Sequence, residues 1–577
     1  MVSIDSRNRC WLLFLVLAVC AAPSRAGVKG TAHDLSAPGL GKDGRETNPC
    51  YFCHTPHNGV APRALWNRSV PGHTYKLYES ATLKATLNQP TGASRLCLSC
   101  HDGTIALDED VKKPRPKNSG SLAGKNSLGT DLSDDHPISF RYDSALAGIR
   151  GELLVPALLP SNTALDETGQ LQCTTCHDAH EDRNPKFLVM DNRFSRLCLA
   201  CHQMKGWSTS VHALSTATWS GIALNPWEHT DYKTVAENSC ANCHHVHSAG
   251  RPEGLLNFEK ESKNCLACHN GSSSSKDVVR DFRKFSAHPV EQSESLHSPM
   301  EDPRGMSRHV ACSDCHNPHA VQAAPGGNAS QGTVAQAVKG VNSSGGLVQQ
   351  ATFQYEICYS CHGLSEQSRS ILVRKDNVTN VRLQFDPGNQ SYHPVVAPGK
   401  NQAVSGFEPG HSPSDVMQCT DCHNSDTSNT TKGPHGSSYE PILERGYQIQ
   451  DPTPESYMSY SLCYKCHNRA TLLTNQSAFP HKLHVVDRQA PCAVCHDAHG
   501  SRSSFGLINF MLRGKTGNTV VSASKNGRLD YLSLGPSRGQ CSLSCHGSDH
   551  DARQYPPLPK PPPARVNPKA SLNIWDR

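Results

Sequence analysis

The chain has 577 residues and a formal net charge of +5; 36% of its residues are hydrophobic and 19% charged. Mean hydropathy is −0.52, and 43 Gly and 39 Pro interrupt the sequence, so the polypeptide alone is too polar to build a core of ordinary size, for which about 45–50% apolar content is usual. No basic run with interleaved aromatics marks a nucleic-acid surface, and the 26 cysteines become the feature to explain.

In chain order, residues 1–26 carry Arg7 and Arg9, an apolar run from Trp11 to Ala22, and Ser24-Arg25-Ala26 as a small-x-small cleavage site. This predicts a secretory signal peptide. The run is too short for a comfortable membrane span. Leu17-Ala18-Val19-Cys20 resembles a lipobox, but Val19 stands where a small residue is expected, so cleavage after Ala26 is preferred to lipoprotein anchoring. Cleavage removes Cys10 and Cys20 and leaves a mature chain of net charge +3.

All other cysteines fall into one pattern. Cys50, Cys53 and His54 form Cys-x-x-Cys-His, which returns as Cys97/Cys100/His101, Cys173/Cys176/His177, Cys198/Cys201/His202, Cys240/Cys243/His244, Cys265/Cys268/His269, Cys312/Cys315/His316, Cys358/Cys361/His362, Cys419/Cys422/His423, Cys463/Cys466/His467 and Cys492/Cys495/His496. A twelfth copy, Cys541/Cys545/His546, has one extra residue between its cysteines. Two sulfurs at this spacing reach the two vinyl groups of one porphyrin, and the following histidine ligates its iron. Zinc half-sites or redox dithiols do not require His directly after the second Cys every time. The expected cofactor is therefore haem c, twelve covalently attached copies. That leaves roughly 46 residues per haem in the mature chain. The macrocycles then supply the apolar mass the sequence lacks, and folding is coupled to their attachment. Their propionates turn the net charge negative.

The motifs alternate. Odd-numbered copies carry a histidine three residues on: His57, His180, His247, His319 and His499; the ninth departs, its next histidine being His435. Even-numbered copies have an apolar residue beside the first cysteine, as in Leu96-Cys97-Leu98 and Ile357-Cys358-Tyr359. This predicts six tandem two-haem units within residues 27–550, at about 27–125, 126–211, 212–280, 281–375, 376–475 and 476–550. A further histidine recurs between units: His33, His136, His212 or His229, His288, His393, and His481 or His484. Spacers at 111–135, 322–349 and 424–437 are Gly-, Ser-, Asn- and Pro-rich. Residues 551–577 form a Pro-rich tail expected to be extended. Gly39-Leu-Gly41-Lys-Asp-Gly44 matches a dinucleotide fingerprint only as a string, with no strand before it or helix after it.

Six near and six inter-unit histidines match twelve distal positions. On a helix, side chains three apart share a face, so His180 should ligate a different iron from His177, and likewise along the series. His73, His245, His297, His309, His411 and His550 are left as surface candidates. No methionine recurs in register with the motifs.

The alternation Cys-x-x-Cys-His-x-x-His … Cys-x-x-Cys-His resembles the doubled-motif multihaem cytochromes c of metal-reducing bacteria across essentially the whole mature chain. The segment Phe479-Pro-His481-Lys-Leu-His484 is similar to the entry segment of small class III periplasmic cytochromes, which implies His481 as distal ligand of the eleventh haem. The resemblance implies a fold that is mostly coil, with short helices and few short strands around a haem stack. It also implies bis-histidine, low-potential haems. The expected function is electron transfer in periplasmic or extracellular transport, such as dissimilatory metal reduction. The expected partners are other cytochromes, an outer-membrane conduit, ferric minerals or further copies in a filament, with no nucleic acid. An electron carrier is favoured over a substrate-converting enzyme. The rival is a multihaem reductase of nitrogen or sulfur oxyanions, which needs an open coordination position on one iron.

Overall fold

A computed structural model describes residues 27–36, 47–61, 64–107, 121–228, 230–292, 302, 304–305, 309–321, 338–363, 372–401, 404, 406–427, 431–474, 479–535 and 537–556. Residues 1–26, His229, His297 and the end of the tail lie outside them. The chain is mostly irregular backbone with short helical turns, two-residue antiparallel strand pairs and one larger sheet near the C-terminus. No helix among the described residues is long and apolar enough to cross a membrane.

Two compact units are present. Unit 1 comprises Met1–Ser275, Glu294–Met300 and Asn317–Pro325; unit 2 comprises Lys276–Ser293, Glu301–His316 and Gly326–Arg577. The seventh motif is divided between them: its cysteines and His316 belong to unit 2 and His319 to unit 1.

The reason for so little regular structure is visible in the core. Unit 1 holds small apolar clusters, Tyr75/Leu98/Leu132 and Phe140/Tyr142/Leu171. In unit 2 the largest cluster is Ala493, Val494, Phe510, Met511, Val520, Val521 and Leu543. Between such clusters the packing is polar and specific. In unit 1, Gln172 is 1% exposed. Its Oε1 accepts from Ser94 Oγ at 2.6 Å and Ser139 Oγ at 3.1 Å, and its Nε2 donates to Asp166 at 2.9 Å. Ser94 Oγ in turn accepts the Cys173 N–H at 3.0 Å. The device repeats one unit on, where Ser195 Oγ accepts the Cys240 N–H at 3.0 Å and donates to Asn238 O. Ser94 and Ser195 each stand three residues before the first cysteine of an even-numbered motif. Each ties that motif to the next.

The terminal sheet joins Val521–Ser522, Asp530–Gly535, Arg538–Cys545 and Ser548–Tyr555, all antiparallel. The boundary expected at residue 550 falls inside its last strand.

Replacing Gln172 by Ala removes the acceptor of the buried Ser94 hydroxyl and one of the partners of Ser139, each loss of a buried partner costing about 1–3 kcal/mol. Urea unfolding of the Gln172→Ala holoprotein is expected to show a loss of about 2–3 kcal/mol.

Candidate haem-ligating sites

Eleven of the twelve motifs begin on a helical turn, either the short turns starting near the first cysteine or the longer helices Gly92–His101 and Gln354–His362. The histidine N–H donates to the first cysteine's carbonyl, for example His54 to Cys50 at 2.8 Å and His496 to Cys492 at 2.9 Å. This i→i+4 closure brings both cysteines and the histidine around one turn. The backbone then leaves the helix. His177 has φ −123° and ψ 139°, and His496 φ −102° and ψ 135°. The helical premise for the His-x-x-His spacing is thus corrected, because the turn ends at the motif histidine and the near histidine follows on irregular chain.

Five of the six odd-numbered motif histidines share a second feature. His54, His177, His244, His423 and His496 each form a β-bridge with a returning segment, at Trp66, Leu188, Leu256, Leu443 and Ile508. The carbonyl two residues before that bridge receives Nδ1: Ala64, Lys186, Gly254, Pro441 and Gly506, at 2.6–3.0 Å. A carbonyl can only accept, so Nδ1 carries the proton and Nε2 keeps its lone pair for a metal.

The motif histidine rings have imidazole partners. Nine motif histidines have a second imidazole with ring centroids 6.1–6.4 Å away. In unit 1 the pairs are His54/His180, His101/His33, His177/His247, His202/His136, His244/His319 and His269/His212. In unit 2 they are His316/His435, His362/His288 and His423/His499. A metal–imidazole bond is about 2 Å and the nitrogen lies about 1 Å from its ring centre, so two rings on opposite sides of one iron stand about 6 Å apart. The donor set therefore fits bis-histidine haem. Each near histidine faces the motif histidine of the preceding odd-numbered copy and not its own.

The ninth motif's departure has a local cause. Ser425 N–H donates to Gly433 O at 3.0 Å and Gly433 N–H to Asn424 Oδ1 at 2.6 Å, which pinches off the chain between them. His435 thereby reaches His316 as a near histidine would. Gly433 has φ +112°, and a Cβ there would stand 3.1 Å from the His435 ring, so the neck requires glycine.

The inter-unit histidines are clipped to the near histidines. Nδ1 of His33, His212 and His288 donates to the carbonyls of Ala179, Pro318 and Pro434 at 3.4, 2.9 and 2.7 Å. His393 Nδ1 donates to Ala498 O. Each acceptor immediately precedes a near-type histidine. His247 Nδ1 instead meets the buried Asp135 at 3.0 Å, and His499 Nδ1 meets Gln384 Oε1 at 2.6 Å. Sequence reasoning gave no role to Asp135 and Gln384; Asp135 directly precedes His136, which is the signal that could have found it. Burial holds the imidazoles of His202, His319, His467, His481 and His499 down to about 4, so they are neutral, as ligation requires.

The cysteines record the order of the sites. Within each odd–even pair of motifs, second cysteines are neighbours: Cys53 with Cys100, Cys176 with Cys201, Cys243 with Cys268, Cys315 with Cys361, Cys422 with Cys466. Between successive pairs, first cysteines are hydrogen-bond partners: Cys97 with Cys173, Cys198 with Cys240, Cys358 with Cys419, Cys463 with Cys492. Cys315 also lies beside Cys358, and Cys495 beside Cys541 and Cys545. Each unit thus holds six motifs in sequence order.

Three of the expected attachment cysteines, Cys50, Cys315 and Cys361, are exposed, whereas the others are half-buried. Cys361 is therefore not enclosed by polypeptide as most of its counterparts are. The helix Gln354–His362 buries Glu356, Ile357 and Tyr359, whereas Cys361, in its last turn, is exposed. A sulfur bonded to a vinyl group needs one open side, so this placement is compatible with attachment.

Several expected ligands stand apart. His212, not His229, faces His269; His229 lies outside the described residues. His57 is exposed. His393 is an electrostatic neighbour of His467, and His481 of His496. The twelfth motif differs throughout: Cys541 and Cys545 lie on the strand Arg538–Cys545, and His546, at φ +48°, meets Asp451 at 3.0 Å.

A model of the doubled Cys-x-x-Cys-His motif matches residues 167–206 and 233–274, each one odd–even pair. A model of cytochrome c554 and c-prime matches 418–497. The chain is a multihaem c-type cytochrome. It is 28% identical over 160 residues to the multihaem cytochrome MtrA of Shewanella baltica (strain OS185), a match covering 26% of this chain and 36% of that protein. The cytochrome therefore spans about a third of the curated relative's length in this match.

Removing a distal imidazole opens its iron. In the His180→Ala cytochrome one iron is expected to become high-spin, and it is the one attached at Cys50 and Cys53, facing His54, not that of Cys173 and Cys176. Resonance Raman and NMR assignment of the high-spin haem check this.

Proposed function

We propose that this cytochrome carries twelve covalent c haems and passes electrons along them in order, without substrate chemistry at the iron. The observation that carries the reading is the pairing of imidazoles at 6.1–6.4 Å, which would supply both axial ligands of nine irons from this chain's own residues. His393 and His481 serve His467 and His496 in the same way. Haem supplies the redox centre. The polypeptide attaches it, fixes the ligand tautomer through Nδ1 and sets the spacing through the neighbouring cysteines. Ligation by two histidines gives lower potentials than His/Met.

The leader at 1–26 supports export, since c haem is attached outside the cytoplasm, and a periplasmic or outer-surface site follows. Suitable partners are other cytochromes or an outer-membrane conduit, with ferric minerals as an ultimate acceptor. Intact mass spectrometry tests the haem count, and the resting optical spectrum tests the function. A stoichiometric high-spin haem in the wild-type protein would favour the oxyanion reductase instead.

Two further outcomes are expected. Reductive titration should spread over several times the about 59 mV per decade of a single one-electron step, because each added electron disfavours the next at neighbouring sites; spectroelectrochemistry measures it. Electron paramagnetic resonance of the oxidised protein should show two low-spin families. At the odd-numbered sites the ring planes lie 13–42° apart, and at the even-numbered ones 52–83°. Near-perpendicular imidazoles leave the iron π orbitals almost degenerate and widen the g anisotropy, whereas near-parallel ones separate them.

A further inference from the structure

The twelfth motif breaks the pattern of the other eleven in sequence and in backbone, and the residues around it form a different ligand set. Cys541, Leu543 and Cys545 alternate along the strand Arg538–Cys545 and pack on one apolar cluster with Cys495. Side chains two apart on a strand share a face, and the next residue points away. His546 follows Cys545 directly. It sits at the turn with φ +48°, and its Nε2 is 3.0 Å from Asp451 Oδ1, a carboxylate only 8% exposed. On the helical turns of the other motifs the histidine instead comes round beside its cysteines.

On the adjoining strand Ser548–Tyr555, His550 stands directly opposite Leu543, between the two cysteines and on their face. Its ring faces His484 with centroids 6.3 Å apart, within the range of the nine pairs that contain a motif histidine. His484 is held in the manner of an axial ligand: Nδ1 donates to Pro480 O at 3.0 Å, leaving Nε2 free of the proton. Phe479 stacks on the His484 ring at 4.8 Å and meets Tyr555 at 4.8 Å. Tyr555 bonds Tyr531 through their hydroxyls at 2.7 Å, and Tyr531 is paired with Cys541 across the sheet. The file of inter-unit histidines points the same way. His33, His136, His212 and His288 each face the motif histidine of an even-numbered site, and His484 is an inter-unit histidine preceding the last even-numbered site.

We infer that, given the multihaem reading, the iron of the haem attached at Cys541 and Cys545 is ligated by His484 and His550, with His546 serving as a surface partner of Asp451. The attachment motif and the axial ligand are separated at this one site, because a strand cannot present Cys545 and its neighbour to the same ring face.

The test uses full-length holoprotein. In His550→Gly and His484→Ala, about one iron in twelve is expected to become high-spin by electron paramagnetic resonance, while His546→Ala retains the wild-type spectrum. Added imidazole should return His550→Gly to low spin, which separates lost ligation from misfolding. In the Cys541→Ser, Cys545→Ser double variant, mass should fall by one haem, and His484→Ala should then add no high-spin iron. A high-spin iron in His546→Ala with none in His550→Gly overturns the inference. A wild-type mass of eleven haems with both cysteines unmodified also overturns it, while leaving the multihaem reading intact; absence of any covalent haem would sink that reading itself.

Discussion

Everything in this cytochrome depends on holding two imidazoles about 6 Å apart. That arrangement is costly for a bare chain: it buries neutral histidines, and burial lowers His319 and His499 to about 4. At many of the rings it is made definite by a hydrogen bond at Nδ1. A backbone carbonyl there fixes the tautomer and the ring plane together. The carbonyls come from segments whose position is itself fixed by the motif, as when the bridge of His177 to Leu188 delivers Lys186 O to the same ring. Ligand geometry and local fold are therefore one structure.

The same economy links neighbouring sites. The His33 ring, facing His101, is anchored on Ala179, which lies 146 residues away and adjoins the histidine facing His54. One clip thus positions the imidazoles opposite both motif histidines of an odd–even pair. Serine hydroxyls at Ser94 and Ser195 then draw the first cysteines of successive units together. Order along the array follows from short contacts repeated, so a chain with small apolar clusters holds its sites in register. Where the repeat ends, the terminal sheet takes over, and Leu543 packs with Phe510 and Met511 in the largest apolar cluster of unit 2.

Legibility differed by kind of residue. Cysteines and motif histidines were readable because covalent attachment dictates their spacing, and the coil-rich fold followed from composition together with that cofactor load. The alternation of near and inter-unit histidines was also visible, including His435 in place of the missing near histidine. The hydroxyl and amide ties were not: Ser94, Gln172 and Gln384 are ordinary polar residues until their partners, far along the chain, come beside them. Nor was the unequal exposure of the motif sulfurs, since the motif that contains Cys361 reads like its siblings. His550 was set aside as a surface residue because, without the strand ladder, nothing in the sequence places it opposite Leu543.

The sequence by itself determined the class of cofactor, because the spacing of the Cys-x-x-Cys-His motifs follows from the bond lengths of haem attachment. Only the tertiary structure decided which imidazole faces which. It set His180 before His54, His212 before His269 and His484 before His550. The physical reason is that a ligand pair is a contact between segments remote in sequence. Spacing within a motif constrains one ring, and the second arrives only when loops, bridges and strands have closed around it.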